Sequence, residues 1–255
     1  MTPDARIQAA RAEARRAMRE AAEALNDERG RRRGGLMRVI HEARGMLERD
    51  YPYFSQAGQD AVVDAILRRK RGGTYLDIGG YDGMTGSNTI FFERIRGWTG
   101  ALVEPVPAQL EKARKLRRCP CLPYAVAAEE GQAEFIEISA GYTQMSGLSG
   151  SYDSELLKTV RADPRHEEAV IRVETCTLSG IMHETGILHP DFVSLDIEGG
   201  EVAALEAFPF AEHRVGLWSI ENNTASPEIG RIMRGAGYSL AEFCGPDEIW
   251  RRGDL

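Results

Sequence analysis

Acids recur at one kind of place in this chain, directly after short apolar runs. Asp77 stands in Leu76-Asp77-Ile78-Gly79-Gly80-Tyr81-Asp82-Gly83, and Glu104 in Val103-Glu104-Pro105. Asp196, Glu198 and Glu201 share Leu195-Asp196-Ile197-Glu198-Gly199-Gly200-Glu201, and Glu221 precedes Asn222 in Ser219-Ile220-Glu221-Asn222-Asn223. Two kinds of chemistry suit such a set. Glycines behind an acid let backbone approach a ligand closely, and a helix opening near Ser87 would offer free N–H groups to an anionic group. Carboxylates crowded together repel unless a cation or a proton comes between them. They therefore serve as ligands of a hard divalent ion such as magnesium, or as a general base of raised pKa.

The glycine turn discriminates between ligands. A dinucleotide fingerprint, Gly-x-Gly-x-x-Gly, would need glycine where Tyr81 stands. Asp77 at a strand end would repel a diphosphate at close range and suits a cationic amine. S-adenosyl-L-methionine carries an ammonium, a carboxylate, a ribose and an adenine, and no phosphate. Glu104 ends the next strand and can accept both ribose hydroxyls, a feature that NAD sites share. Taken singly, Asp77 also fits a turn cap and Glu104 a surface acid before proline.

The elements that must position these residues are short strands alternating with helices. Strands are predicted at Thr74–Ile78, Gly100–Glu104, Leu122–Ala127, Asp191–Asp196 and Val215–Glu221, with a closing antiparallel pair at Tyr238–Phe243 and Glu248–Arg251. A proline-started helix is predicted at Pro107–Arg118. The alternation implies a mostly parallel sheet covered by helices, with ligands outside the carboxyl ends of its strands. A Gly/Ser-rich segment, Tyr142–Tyr152, reads as a lid that shapes the acceptor pocket together with the N-terminal helices.

Residues 1–50 differ in character and are expected to form a helical extension to a domain at 51–255. They hold 12 Arg, no Lys and 9 Asp plus Glu, so their charge is +3 while the rest of the chain carries -10 of the total -7. Ile7, Ala14, Met18, Ala21 and Leu25 share one face of a first helix, a weak coiled-coil seam that needs a partner. Gly30-Arg31-Arg32-Arg33-Gly34-Gly35 reads as a break and a solvated linker before a second helix from Leu36 to Arg49; the sharper reading is a docking site for an acidic partner. Hydrophobic residues at 42% support a sizeable core, and the negative total argues against a nucleic-acid binder. No apolar run approaches membrane-spanning length, and the first residues lack a secretory signal, so a cytoplasmic location is expected. Four cysteines without paired zinc spacing fit reduced thiols.

Taken together the motifs resemble the FkbM family of S-adenosylmethionine-dependent methyltransferases. Similar segments are Ser55-Gln56-Ala57-Gly58-Gln59-Asp60, the Leu76–Gly83 turn, Ser87-Asn88-Thr89, Gly97-Trp98-Thr99-Gly100, Val103-Glu104-Pro105, Leu195–Glu201, Ser219–Asn223 and Gly237-Tyr238. The resemblance implies an α/β class I methyltransferase Rossmann-like fold, with a seven-stranded sheet in order 3-2-1-4-5-7-6. It implies O-methylation of a small molecule, a secondary metabolite or a sugar. Carried onto matching positions, Asp77, Gly79, Gly80 and Gly83 would cradle the methionine moiety and Glu104 the ribose. Ala125 and Val126 would lie near adenine through backbone, and Gln56, Ser87 and Asn88 near the cofactor carboxylate. Ser87 equally fits a helix N-cap, and Gln56 a polar anchor.

Two mechanisms then fit the later acids. In one, magnesium sits between Asp196, Glu221 and Asn222, resembling the catechol type of O-methyltransferase, and binds the acceptor oxygen. In the other, Asp196, Glu198 or Glu201 is the base; Glu201 also fits a helix-opening acid. The expected partners are a small-molecule acceptor and a second copy of the chain through the N-terminal helices, with neither nucleic acid nor membrane. The alternative function is a non-catalytic S-adenosylmethionine-binding module that recruits a partner through those helices.

Overall fold

The computed structural model describes residues 2–254; Met1 and Leu255, the outer ends of the two expected spans, lie outside the described residues. Two helices, α1 (Pro3–Leu25) and α2 (Arg32–Leu47), precede α3 (Gln59–Ile66) and the first strand, β1 (Thr74–Ile78). A π-helical turn (Phe92–Arg96) leads to β2 (Thr99–Val103), α4 (Pro107–Leu116), β3 (Cys121–Leu122) and β4 (Tyr124–Val126). Next come β5 (Gly131–Ala140), β6 (Gly147–Leu148), α5 (Ser154–Arg161), β7 (Glu167–Cys176) and α6 (Leu178–Thr185). The chain closes with β8 (Phe192–Leu195), α7 (Glu201–Glu206), β9 (Leu217–Ile220), α8 (Pro227–Gly235), β10 (Tyr238–Cys244) and β11 (Asp247–Arg252).

The main sheet runs β3-β2-β1-β8-β9-β11-β10. Its first five strands are parallel, and β11 is antiparallel to both neighbours. Counted along this sheet alone, that is the order expected of a class I methyltransferase Rossmann-like fold. Both faces are covered, so the central strands are apolar throughout rather than alternating. Leu76 and Ile78 join Val193, Leu195, Trp218 and Trp250 in one core. Tyr75, on the other face, joins Phe91, Phe92, Trp98, Phe192 and Ile249. Strand alternation therefore puts Asp77 on the Tyr75 face.

Three sequence expectations need correction. The strand expected over Leu122–Ala127 is divided, with Cys121–Leu122 closing the main sheet and Tyr124–Val126 entering a second one. Pro123 lies at the break and has no N–H for a ladder. The second sheet, β4-β7-β5-β6, was not foreseen. Its long β5–β7 ribbon shows mostly exposed residues at its outer end, which blurs the strand pattern in sequence.

The arginine-glycine stretch is not a solvated linker. Helix α2 starts at Arg32 and runs through both glycines. A Cβ on Gly34 would stand 2.0 Å from the Gly245 carbonyl oxygen in the β10–β11 turn, and the Gly245 N–H donates to Gly34 at 2.9 Å. Arg33 forks onto Glu242 at 2.5 and 2.6 Å, and Arg31 pairs with Glu248 and donates to the Asn222 carbonyl at 2.7 Å. Helix α1 lies on α2 through its second half; Ile7, at the start of the expected seam, is exposed. Among the described residues no helix is long and apolar enough to cross a membrane.

Gly34→Ala should lower stability by about 2 kcal/mol in urea unfolding, because the added methyl meets backbone that cannot withdraw cheaply. Gly35→Ala, whose Cβ would meet nothing within 4 Å, should raise stability by about 0.5–1 kcal/mol through helix propensity alone. Equal effects would contradict the backbone contact.

Candidate functional site

The turn after β1 and the turn after β8 touch through backbone. Gly79 has φ +79°, and a Cβ there would sit 1.7 Å from the Asp196 carbonyl oxygen. Only glycine allows this approach, and it brings the recess beside Asp77 against the acids after β8. Tyr81 (φ +47°) and Glu198 (φ +55°) hold left-handed backbone without being glycine, a strain that accompanies functional turns.

A cavity opens beside these turns, bounded by Gly79, Tyr81, Glu104, Ala125, Val126 and Phe135. Glu104 is buried, and its two oxygens accept from the Tyr81 N–H at 3.0 Å and the Val106 N–H at 2.8 Å. Burial pushes its carboxyl up to about 7, against those two bonds. Thr143 and Gln144, from the Tyr142–Tyr152 segment, also line the cavity, and the Tyr81 hydroxyl shares a 2.7 Å hydrogen bond with Thr143. The glycine-rich segment thus covers the cavity. No residue of the N-terminal helices lines it.

A narrower recess continues from the cavity, lined by Gln56, Asp77, Ser87, Asn88, Gln144 and Asp196. The Ser87 hydroxyl accepts from the Thr89 and Ile90 N–H groups at 3.3 and 3.2 Å, so Ser87 holds the turn that leads into the π-helical segment and also lines the recess. Asn88 donates to Ser194 at 3.0 Å, and its buried Oδ1 has no partner. Asp77 accepts on Oδ2 from Arg117 at 2.9 Å, from Thr89 at 2.5 Å and from Ser87 at 3.4 Å. Asp77, read from the sequence as suited to a cationic amine, thus has one oxygen already paired inside the protein.

Asp196 and Glu221 lie one residue past β8 and β9, and Glu198 lies in the turn between β8 and α7. The structure brings these three carboxylates within 4.8 Å of one another. Burial raises all three well above the ordinary carboxylate range, and neighbouring carboxylates raise them further. Asn223 steadies the group, donating to Glu198 at 3.2 Å. Glu201 and Asn222 line the space beyond Glu221 as well, and their polar atoms are engaged in hydrogen bonds of their own turns. Glu201 accepts from the Ile197 and Gly199 N–H groups at 2.9 and 3.0 Å, bracing its own turn. Asn222 exchanges bonds with Ser226 at 2.8 and 3.0 Å and donates to Glu248 at 2.8 Å. A second cavity, bounded by Asp153, Glu221, Asn223 and Thr224, opens beyond the trio, so the acids stand between two spaces.

Residues 77–240 match the family profile of the methyltransferase FkbM domain, well over half the chain. The chain belongs to this family. This chain is also similar to solved structures. One is methyltransferase FkbM from Methylobacillus flagellatus, at 12% identity and TM-score 0.47, covering 92% of this chain and 58% of that one. Precorrin-6y C5,15-methyltransferase from Geobacter metallireducens matches at 12% identity and TM-score 0.39, covering 75% of this chain and 85% of that one. A TehB-like SAM-dependent methyltransferase from Corynebacterium glutamicum matches at 11% identity and TM-score 0.41, covering 77% of this chain and 88% of that one. The chain thus spans 58% of the length of the Methylobacillus protein. No curated protein matches it.

Sequence reasoning missed Arg117 and Asn223, and it named the Tyr142–Tyr152 segment without singling out Thr143 and Gln144. The predicted helix ran through Arg117 to Arg118; it ends at Leu116, and Arg117 turns inward. Asn223 alone carried a signal, its place beside Glu221 and Asn222.

The raised acids make stability depend on pH. A carboxyl whose folded pKa is raised contributes stability below its unfolded pKa and loses it as pH rises through the folded value. With a chelator present, the protein should be less stable to urea at pH 8 than at pH 5.5. Glu198→Gln should shrink that difference by about 1–2 kcal/mol. An unchanged difference would show that the trio does not share its charge.

Proposed function

We propose that the chain transfers a methyl group from S-adenosyl-L-methionine to a hydroxyl of a small-molecule acceptor, a secondary metabolite or a sugar. The observation that carries this reading is the acid trio, Asp196, Glu198 and Glu221, held between the two cavities. A module that only bound the cofactor would have no use for three crowded carboxylates at that place.

The residues present fit the cofactor. The cavity offers an apolar wall at Ala125, Val126 and Phe135 for adenine, and Glu104 has acceptor capacity for ribose hydroxyls. The recess offers Asn88, whose Oδ1 has no partner among the described residues, to an ammonium, and the Gln56 and Ser87 side chains to a carboxylate. The trio also fits a hard divalent ion, with Glu198 in the place expected of Asn222. When bound, the cofactor supplies the electrophilic methyl, and magnesium would supply a charge that favours the deprotonated acceptor oxygen.

The protein aligns the reactants and moves a proton. Glu104 and the recess fix the cofactor along β1 and β2. The Tyr142–Tyr152 segment excludes water from above. Asp196 and Glu198 line the cofactor cavity and Glu221 the second one, so an acceptor in the second cavity meets a carboxylate of raised pKa that can take its proton.

Adenosylhomocysteine should bind in calorimetry and NADH should not. Its affinity should fall as pH drops below about 7, where Glu104 takes a proton, and Glu104→Gln should flatten that dependence. Binding of NADH in place of adenosylhomocysteine would overturn the cofactor reading.

With a panel of hydroxylated acceptors, Asp196→Ala should cut turnover by about a hundredfold or more. Turnover that survives this change would refute the role of the trio. Loss of turnover with a chelator, restored by magnesium, marks the trio as a cation site; an unchanged rate marks it as the base.

A further inference from the structure

We infer that Arg117 is the positioning residue for the amino-acid end of the cofactor. This rests on the reading of the cavity as an S-adenosylmethionine site and assigns a role to a residue that no motif contains.

Arg117 follows α4, and its side chain is fully buried. Its guanidinium reaches six partners. Nε donates to Glu93 at 3.1 Å. Nη1 donates to Asp77 at 2.9 Å, to the Gly83 carbonyl at 3.3 Å and to Ser87 at 3.4 Å. Nη2 donates to the hydroxyls of Tyr75 at 2.9 Å and Thr89 at 2.8 Å. Those hydroxyls pass the contact on, Tyr75 donating to Glu93 at 2.7 Å and Thr89 to Asp77 at 2.5 Å.

Three partners, Asp77, Gly83 and Ser87, belong to the glycine turn and to the turn into the π-helical segment that frame the recess. One planar group therefore sets the separation between the acid of the turn and Ser87. A lysine has three donors on one freely rotating nitrogen and cannot hold partners spread around a rigid plane in fixed relation. Arg117 also decides how Asp77 is used. It commits Oδ2, and no protein hydrogen bond reaches Oδ1, while Asp77 lines the recess. Asn88, whose buried Oδ1 has no hydrogen-bond partner among the described residues, lines the same recess. An ammonium bound in the recess would have Asp77 Oδ1 as an acceptor held in place by Arg117. The buried set of Asp77, Glu93 and Arg117 keeps one negative charge in excess, which an ammonium balances.

The test compares two probes in full-length protein. Adenosylhomocysteine carries the amino-acid end; 5′-methylthioadenosine has the same adenine, ribose and sulfur without it. Arg117→Lys should weaken adenosylhomocysteine at least tenfold in calorimetry while methylthioadenosine changes less than threefold. A loss of general structure would weaken both alike, and that result, or unchanged affinity for both, would overturn the inference. If Arg117→Lys does not fold, Thr89→Val, which removes one hydroxyl bridging Arg117 and Asp77, should give the same selective loss on a smaller scale, and equal effects on both probes would again overturn it. Wild-type protein that binds neither probe would instead remove the cofactor reading, and the role of Arg117 with it.

Discussion

Too few cations face the carboxylates at the carboxyl edge of this sheet. Asp77, Glu104, Asp196, Glu198 and Glu221 gather around two cavities, and the one fully buried cation among them, Arg117, is shared between Asp77 and Glu93. Two like charges about 5 Å apart cost roughly 3 kcal/mol at an effective dielectric of about 20. Such a site meets that cost by holding protons, by holding a metal ion or by accepting a cationic ligand. S-adenosylmethionine brings a sulfonium and an ammonium, and an O-methyl transfer needs a group that can receive a proton. In the proposed reaction the same unbalanced charge serves both cofactor choice and chemistry.

The architecture around the edge keeps these acids close. Gly79 lets the turns after β1 and β8 meet through backbone, so cofactor recess and acid trio share a wall. The N-terminal helices contribute from a distance. Arg31 reaches from the start of α2 to the Asn222 carbonyl, next to Glu221, and pairs with Glu248, which also holds the Asn222 side chain. The helical extension is thereby tied to the loop that carries one member of the trio and to Asn223, which steadies another.

Much of this was legible in the sequence, and the limit is physical. The glycine turn, Glu104 and the acids after β8 and β9 could be read because each lies next to a short apolar strand, and strand order followed from the family resemblance. What depended on distant partners could not be read. Arg31 and Arg33 looked like a solvated run because their acids, Glu248 and Glu242, lie more than 200 residues away in the chain. Asn222 looked like a ligand beside Glu221, yet its amide is bonded to Ser226 and Glu248, and Glu198 joins the acids by way of a left-handed backbone. Glu201 carried the right charge at the right position but spends both oxygens on its own turn. Arg117 had no signal, since nothing local distinguishes it from Arg118.

Charge balance at the edge is tested most directly by counting protons on binding. Calorimetry of S-adenosylmethionine and of adenosylhomocysteine at pH 7, each repeated in buffers of different ionisation enthalpy and with a chelator present, gives the proton count for both. The two ligands differ by the methyl group and the positive charge on sulfur. If the raised acids hold shared protons, the sulfonium should displace about one more proton than the neutral thioether does. Equal proton counts for the two ligands would contradict the account, because the acids would then be indifferent to the charge they are held to balance.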